Sequence, residues 1–216
     1  MTLRLGDTAP DFTAETTRGR IEFHSWLGDS WALLFSHPRD FTPVCTTELG
    51  QVALLERHFE RRGVKLIALS IDTVVSHEQW LHDIRDTTGA NVHFPIIADI
   101  DRSIATLYGM LHPNHDSNHT VRTVFVIDPA KKVRLTIAYP QSCGRNFDEL
   151  LRTIDSLQLT DAHAVATPAH WRVGDDVIIL PAISDEEAQM RFPNGWHALK
   201  PYLRLTPDPR VYVAKS

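Results

Sequence analysis

The sequence predicts an α/β fold with a mixed central sheet, followed by a small C-terminal domain. Apolar runs of strand length alternate with segments whose apolar residues recur at helical spacing, which is typical of a sheet covered by helices. The last two runs are joined by Asp128–Lys132, and so short a connection predicts an antiparallel hairpin. Beyond about residue 160 the chain becomes rich in proline, which indicates a second domain.

Five strands are predicted from continuous apolar runs of about four to eight residues. Such runs are typical of strands that are buried on both faces. They are Trp31–Phe35, Val64–Ile71, Phe94–Ala98, Thr123–Ile127 and Val133–Tyr139.

Four helices are predicted from apolar residues that share one face. The first follows the first strand, and Gly63 is placed to end it. The four apolar faces consist of Leu49, Val52, Leu55 and Phe59; of Trp80, Leu81 and Ile84; of Ile104, Leu107 and Tyr108; and of Phe147, Leu150, Leu151, Ile154 and Leu157.

The domain boundary is predicted near residue 160, with a main domain over residues 1–160 and a C-terminal domain over 161–216. The second part contains six prolines after residue 166 and one short strand candidate, Asp176–Leu180. So short a segment buries little apolar surface by itself, and we expect it to need a partner surface. A homodimer is therefore the expected assembly, and a higher oligomer is left open.

The charge balance argues against nucleic acid or an anionic membrane as the main partner, because the formal net charge is −5. No stretch approaches the ~18 continuous apolar residues of a membrane helix. The N-terminal residues lack the apolar core of a secretory signal, and two cysteines do not make a disulfide framework. These observations predict a cytoplasmic protein.

Cys45 lies where a thiolate would be stabilised. It comes immediately before a predicted helix that Thr46 to Glu48 open, and Pro43 fixes the approach to the first turn. The free N–H groups and the positive end of the helix dipole favour an anion there. Thr42 lies three residues earlier, so that its hydroxyl can reach the same space.

The segment from Phe35 to Gly50 resembles the active-site block of peroxiredoxins, in their 1-Cys branch. Its core, Pro38-x-x-x-Thr42-x-x-Cys45, matches the signature of that family. The resemblance covers essentially the whole chain. It also includes the segments 65–72, 94–97, 139–140, 144–149 and 165–168.

The resemblance implies a thioredoxin-like fold, a C-terminal peroxiredoxin domain and a peroxidase that reduces hydrogen peroxide or organic hydroperoxides. Cys45 would be the peroxidatic thiolate and would become a sulfenic acid. Thr42 and Arg122 would hold the two peroxide oxygens.

The resemblance assigns further positions around the sulfur. Pro38 would shield the site, His37 would lie close to the sulfur, and Arg145 would be a second cation lining the pocket. No cofactor or metal is implied, since electrons would arrive through an external thiol, either a small thiol or a redox protein.

Two alternatives use the same cysteine. Cys143 would act as the resolving thiol in a two-cysteine peroxidase, but a position at the end of a strand rarely brings two Cα atoms within the roughly 7 Å that a disulfide needs. Alternatively, the chain is a redox-switched holdase or peroxide sensor, which would stall after one equivalent of peroxide instead of turning over. The 1-Cys peroxidase is the preferred interpretation.

Two weaker patterns resemble a phospholipase-type site and a metal site, and we expect neither to be functional. Ser30 and His24 match two positions of the phospholipase-type site that the 1-Cys branch can carry, but Ala32 and Ala130 stand where its glycine and aspartate would be. The spacing His112-x-x-His115-x-x-x-His119 lies in a polar segment and is interpreted as a solvated loop, with no metal site.

Overall fold

The computed structural model describes residues 3–116 and 118–210, which fall into two compact units, Met1–Phe147 and Asp148–Ser216. The boundary near residue 160 stays a prediction. The elements in chain order are β1 (Thr13–Thr16), β2 (Gly19–Glu22), α1 (Phe23–Leu27), β3 (Trp31–Ser36), α2 (Pro43–Glu60), β4 (Val64–Ser70), α3 (Val74–Thr88), β5 (Ile96–Ala98), α4 (Ser103–Leu107), β6 (Arg122–Ile127), β7 (Val133–Tyr139), α5 (Phe147–Ala162), β8 (Val165–Ala166), β9 (Val177–Ile179), α6 (Asp185–Arg191), β10 (His197–Lys200) and β11 (Leu203–Thr206).

The first unit is built on a seven-stranded sheet in the order β2-β1-β5-β4-β3-β6-β7. Strand β4 runs parallel to β3 and to β5, whereas β6 runs antiparallel to β3 and to β7. All five predicted strands are present as β3 to β7, and the predicted mixed α/β sheet is confirmed. Every residue of β3 and β6 is buried, which explains their continuous apolar sequence.

The edge strands β1 and β2 were not predicted. Each has four residues, and only every second residue at most is buried. Both contain charged and polar residues that face solvent, so no apolar run marks them. They pair antiparallel across a two-residue turn, and Gly19, the first residue of β2, has φ 86°, a value that glycine adopts without strain.

Helix α2 is the predicted first helix, and it begins at Pro43, a residue well suited to the first helical position. Leu49, Val52 and Phe59 are buried, as their spacing predicts. At Gly50 the helix comes so close to α3 that an added Cβ would lie 2.5 Å from Cγ2 of Thr88. A glycine is needed here for close packing and not for its conformational freedom.

The second unit contains more regular structure than the sequence predicts. Four short strands pair in the order β10-β11-β9-β8, and α6 lies between β9 and β10 in the chain. The sequence predicted one strand in this part of the chain, whereas this sheet has four. These strands have only two to four residues, and all of β10 is exposed. Only β9 consists of an apolar run, and it lies within the predicted Asp176–Leu180. The unit has a core of its own, formed by Leu159, Val165, Trp171, Val177, Ile179, Ala188 and Phe192.

In the described part of the chain, no helix combines the length and the apolar character that crossing a membrane requires.

Candidate active site

Cys45 is the third residue of α2 and is completely buried. The segment His37–Thr42, called here the active-site loop, connects the end of β3 to this helix. Thr42 has an extended backbone and occupies the N-cap position, so that the helix starts immediately before the cysteine. The sulfur is thus placed in the first turn, where the backbone N–H groups have no partner within the helix.

Arg122 makes the direct contact with the sulfur. It is the first residue of β6, which pairs with β3, and its Nη1 donates a hydrogen bond to Sγ of Cys45 at 3.3 Å. Its Nε and Nη2 both donate to the carbonyl oxygen of Gln141, at 2.9 and 2.6 Å. This fork fixes the plane of the guanidinium, so that one nitrogen faces Cys45.

Glu48 connects the two arginines that the sequence singles out. Its Oε2 accepts a hydrogen bond from Nη1 of Arg122 at 2.7 Å and one from Nη2 of Arg145 at 2.8 Å. Its Oε1 accepts from Nε and from the backbone N–H of Arg145, at 2.9 and 2.8 Å. Burial would raise the pKa of Glu48, but its hydrogen bonds and charge interaction with Arg145, joined by Arg122, hold that pKa below its usual value.

Sequence reasoning did not find Glu48. The signal was present in its spacing, because residues three apart on a helix share a face and Glu48 follows Cys45 by three. The cluster joins Cys45, Glu48, Arg122 and Arg145 with side chains that are almost completely buried.

The other predicted residues lie in the active-site loop. Pro38 is buried, and the hydroxyl of Thr42 donates to the carbonyl oxygen of Arg39 at 2.9 Å. The ring of His37 is completely buried, and its Nε2 lies 2.9 Å from Oδ1 of Asp40. The side chain of His37 is thus bound within the loop.

Asp40 is the centre of a second buried polar cluster, which the sequence analysis also missed. Besides His37, its carboxylate contacts Nδ1 of His77 at 2.7 Å and Oγ of Ser76 at 2.8 Å. Its backbone N–H donates to Oδ2 of Asp72 at 2.9 Å. Asp40 and His77 are 37 positions apart in the chain, and no spacing rule connects them.

A cavity of about 350 Å³ opens beside the active-site loop. Within the loop, Phe41 has φ 52° and is 51% exposed, an unusual backbone for a bulky residue. The cavity is lined by Arg39, Asp40, Phe41, Thr42, Asp72 and Ser76.

The remaining candidates make no side-chain hydrogen bond to this cluster among the described residues. Cys143 is an exposed free thiol, whereas Cys45 is buried. His24 binds the carbonyl oxygen of Ala9 at 2.8 Å, and no hydrogen bond joins it to Ser30 within residues 3–116.

The histidine-rich segment is a largely exposed loop. His112 and His115 are exposed, and His119 Nδ1 lies 3.0 Å from Oδ2 of Asp116. No three metal-capable groups converge there among the residues that the structure describes.

Comparison with known proteins finds two family matches along the chain. Residues 5–136 match the AhpC/TSA family, and residues 156–195 match the C-terminal domain of 1-Cys peroxiredoxin. The chain is 53% identical to a 1-Cys peroxiredoxin of Dictyostelium discoideum over 207 residues, which is 96% of this chain and 86% of that protein.

Two solved structures superpose closely on the chain. A cysteine-to-serine mutant of peroxiredoxin 6 from Arenicola marina is 50% identical with a TM-score of 0.90, covering 96% of this chain and 99% of that one. The yeast mitochondrial 1-Cys peroxiredoxin is 51% identical with a TM-score of 0.89, covering 95% and 100%. The chain belongs to the AhpC/TSA family, in its 1-Cys peroxiredoxin branch, and is a thiol-dependent peroxidase with a thioredoxin-like fold.

Proposed function

We propose that Cys45 is the sulfur that reduces hydrogen peroxide and organic hydroperoxides, and that Arg122 is its main electrostatic partner. The observation that carries the proposal is the 3.3 Å hydrogen bond from Nη1 of Arg122 to the sulfur of Cys45. Arg122 and Arg145 carry two positive charges, and Glu48 carries one negative charge. The cluster therefore has one net positive charge beside the sulfur of Cys45, which attracts negative charge on that sulfur during the reaction.

The reaction transfers one oxygen atom to sulfur. The thiolate attacks the terminal oxygen of the hydroperoxide, an S–O bond forms and the O–O bond breaks. Sulfur is oxidised by two electrons to the sulfenic acid, and the leaving alkoxide or hydroxide takes up a proton to become alcohol or water.

Ionisation of the thiol supplies only part of the rate. A free thiol is already a few per cent ionised near neutral pH, so complete ionisation gains roughly 30-fold, or about 2 kcal/mol. Even a modest enzyme lowers its barrier by about 8 kcal/mol. The larger part must come from holding the peroxide and stabilising charge as the O–O bond breaks.

We assign that part to the groups around the sulfur. Thr42, through its hydroxyl, and Arg122 hold the two peroxide oxygens. Pro38 shields the sulfur from water, and His37 is a further catalytic residue of the active-site loop. Arg145 acts through Glu48, which it shares with Arg122.

Regeneration uses an external thiol. The thiol attacks the sulfenic acid, releases water and forms a mixed disulfide, which a second thiol reduces back to Cys45. The yeast relative is described with a thiol resolving mechanism that works through the glutathione and thioredoxin systems, and we propose reductants of these two classes here. The matches to 1-Cys peroxiredoxins support a 1-Cys mechanism over a Cys45–Cys143 disulfide.

We also propose a cytoplasmic homodimer with the C-terminal domain, residues 161–216, at its interface. The match of residues 156–195 to the C-terminal domain of 1-Cys peroxiredoxin supports a distinct role for this part of the chain.

The two cysteines provide a matched test. Cys45→Ser should abolish turnover of peroxide with a small thiol, because a serine hydroxyl does not ionise near neutral pH. Cys143→Ser should keep full turnover, and dimedone should label Cys45 in it after one equivalent of peroxide. Persistent activity in Cys45→Ser would overturn the assignment of the reactive sulfur. A stoichiometric Cys45–Cys143 disulfide in the parent would make Cys143 the resolving thiol.

A further inference from the structure

A histidine-rich loop precedes the strand that carries Arg122. It comprises residues 112–119 and is called here the histidine loop. An antiparallel bridge between Leu111 and Thr120 closes its base. The chain then continues into β6, whose first residue is Arg122. The histidine loop therefore leads into the strand whose arginine contacts the sulfur.

Asp116 organises the histidine loop with one of its carboxylate oxygens. Its Oδ1 accepts hydrogen bonds from the backbone N–H groups of Asn118 and His119, at 2.7 and 3.3 Å. These hydrogen bonds close a short turn of the kind that aspartate favours. The N–H of Asn118, and then the side chain of Gln141, hold the pKa of Asp116 well below its usual value, so that the carboxylate is an ionised acceptor.

The other carboxylate oxygen of Asp116 reaches outside the loop. Its Oδ2 accepts a hydrogen bond from Nε2 of Gln141 at 2.7 Å, across 25 positions of the chain. Nδ1 of His119 lies 3.0 Å from the same oxygen. A hydrogen bond to a charged acceptor is stronger than one between neutral groups, so this contact is suited to holding Gln141 in place.

Gln141 binds Arg122 through its backbone. Its carbonyl oxygen accepts from Nε and Nη2 of Arg122, at 2.9 and 2.6 Å, while Nη1 donates to the sulfur of Cys45 at 3.3 Å. If the peptide group of Gln141 turns, this oxygen moves, and the plane of the guanidinium turns with it. The direction of the donor that faces Cys45 is therefore tied to the conformation of Gln141.

The turn that contains Gln141 is attached to the histidine loop. Of residues 140–144, all but Gln141 are exposed, and Gln141 is half-buried. Inside the turn, the N–H of Cys143 donates to the carbonyl oxygen of Pro140 at 3.1 Å. The N–H of Gln141 also lies 3.4 Å from Nε2 of His115, which is a long hydrogen bond to a second residue of the histidine loop. Gln141 thus contacts this loop with its side chain and with its backbone.

Glu48 does not by itself define the plane of the Arg122 guanidinium. It binds Nη1, at 2.7 Å, which is the same nitrogen that faces the sulfur. That contact leaves the guanidinium free to turn about Nη1, whereas the two hydrogen bonds to Gln141 hold its other side. A misplacement of about 1 Å in an active site can cost about 100-fold in rate. The Gln141 carbonyl is therefore the contact that sets the direction of the donor.

We propose that Asp116 and Gln141 are positioning residues for the peroxidase reaction, and that the hydrogen bond between their side chains fixes the direction of the Arg122 guanidinium. Each step of the path is a direct hydrogen bond, from Asp116 to Gln141, from Gln141 to Arg122, and from Arg122 to the sulfur of Cys45. The histidine loop contributes to the reaction through its aspartate. The inference rests on the proposed role of Arg122 in the reaction.

Hydrogen exchange at Nε of Arg122 tests the inference without peroxide. Nitrogen NMR of the reduced protein at pH 7 gives the exchange rate, and Arg122→Lys identifies the signal. Gln141→Ala keeps the backbone carbonyl but removes the side chain, so that this Nε–H should exchange about 10-fold faster, as for the loss of one hydrogen bond. The Nε–H of Arg145, which donates to Glu48 at 2.9 Å, is the control in the same spectrum and should keep its rate. Unchanged exchange at Arg122, or equally faster exchange at both arginines, would overturn the inference.

The rate of oxidation tests the consequence for the reaction. In stopped-flow measurements with hydrogen peroxide at pH 7, Gln141→Ala should react about 10-fold to 100-fold more slowly than the parent. Gln79→Ala, the same exchange at an exposed glutamine of α3, should match the parent. Faster hydrogen exchange at Arg122 without slower oxidation would overturn the proposed role of Arg122 itself, so the two failures are distinguishable.

A reversed pair distinguishes this hydrogen bond from a general effect on folding. Gln141→Glu alone sets two carboxylates against each other and should slow oxidation at least as much as Gln141→Ala. Gln141→Glu combined with Asp116→Asn exchanges donor and acceptor, because the new amide at 116 donates to the new carboxylate at 141. The combined variant should recover most of the rate that Gln141→Glu loses. A combined variant as slow as Gln141→Glu would overturn the inference.

Discussion

At the scale of single residues, Glu48 holds both arginines of the active site in place. Its carboxylate accepts four hydrogen bonds from the two arginines, and the groups concerned are removed from water. Two guanidinium groups this close would repel each other without it. The position of Arg122 beside the sulfur therefore depends on Glu48, which itself makes no hydrogen bond to that sulfur.

Glu48→Gln should lower the free energy of unfolding by about 3 kcal/mol, since it leaves buried positive charge without its partner. Urea denaturation at pH 7 measures this. Glu149→Gln, at an exposed ion pair with Arg152, is the control and should change stability by about 0.5 kcal/mol or less. Equal effects would contradict the role of burial.

The pH dependence of stability gives a second measurement on Glu48. Its pKa is lower in the folded protein than the ordinary 4.5, so its contribution is present above pH 4.5 and is lost as pH falls through the folded value. The parent should therefore lose stability on acidification below pH 4.5 more steeply than Glu48→Gln. Parallel curves would contradict this prediction.

Arg122 is expected to act through geometry as well as charge. Arg122→Ala should slow oxidation of Cys45 by about 100-fold to 1000-fold, as for the loss of one preorganised donor. Arg122→Lys should fall between that variant and the parent, because an ammonium group cannot bind Gln141, Glu48 and the sulfur together. Stopped-flow measurement with hydrogen peroxide decides, with Arg134→Lys as the control. A lysine variant equal to the parent would show that charge alone matters.

At the level of elements, the sequence identifies those whose apolar residues are continuous or periodic. Strands β3 to β7 and helices α2 to α5 are in this group, and their burial explains why. Strand β9 was also predicted, within Asp176–Leu180. Strands β1, β2, β8, β10 and β11 were not, because short, half-exposed strands are specified by pairing partners distant in sequence. The hairpin β6–β7 was predictable from its connection, in which Lys131 has φ 64°.

Helix α3 offers a test at this scale, because it carries His77 and Trp80. Its N-cap residue Thr73 accepts a hydrogen bond from the backbone N–H of Ser76 at 3.1 Å. Thr73→Ala should lower the free energy of unfolding by about 1 kcal/mol, whereas Thr73→Ser should retain most of it. Thermal or urea denaturation compares the two. Equal losses would show that the hydroxyl does not cap the helix.

For the whole molecule, the sequence predicts the kind of site better than the side-chain contacts within it. The block around Cys45 identified the reactive loop by resemblance, and the structure brings Arg122 to the sulfur across 77 positions. Spacing alone does not reveal which of the 22 basic residues would do this. The pairing of Asp40 with His77 is likewise a product of the sheet, since Asp40 follows β3, the helix of His77 follows β4, and these two strands pair.

The proposed dimer is tested on the complete chain. Sedimentation velocity should give twice the chain mass of 24.5 kDa. Removal of the residues after Thr160 deletes most of the core that contains Trp171, Val177 and Phe192, and should cause dissociation or loss of solubility. A soluble truncated protein that remains a dimer would exclude this segment from the interface.

The close approach of α2 to α3 makes Gly50 and Thr88 a coupled pair in sequence space. An alanine at 50 would meet Cβ of Thr88 at 2.8 Å, and Thr88 is held by its hydrogen bond to the carbonyl oxygen of Ile84. A mutation at 50 alone pushes the two helices apart and weakens the hydrogen bond from Trp80 on α3 to Thr46 on α2. It becomes tolerable only in a background where position 88 has already become smaller, so the order in which the two substitutions arise decides whether a lineage can accept them.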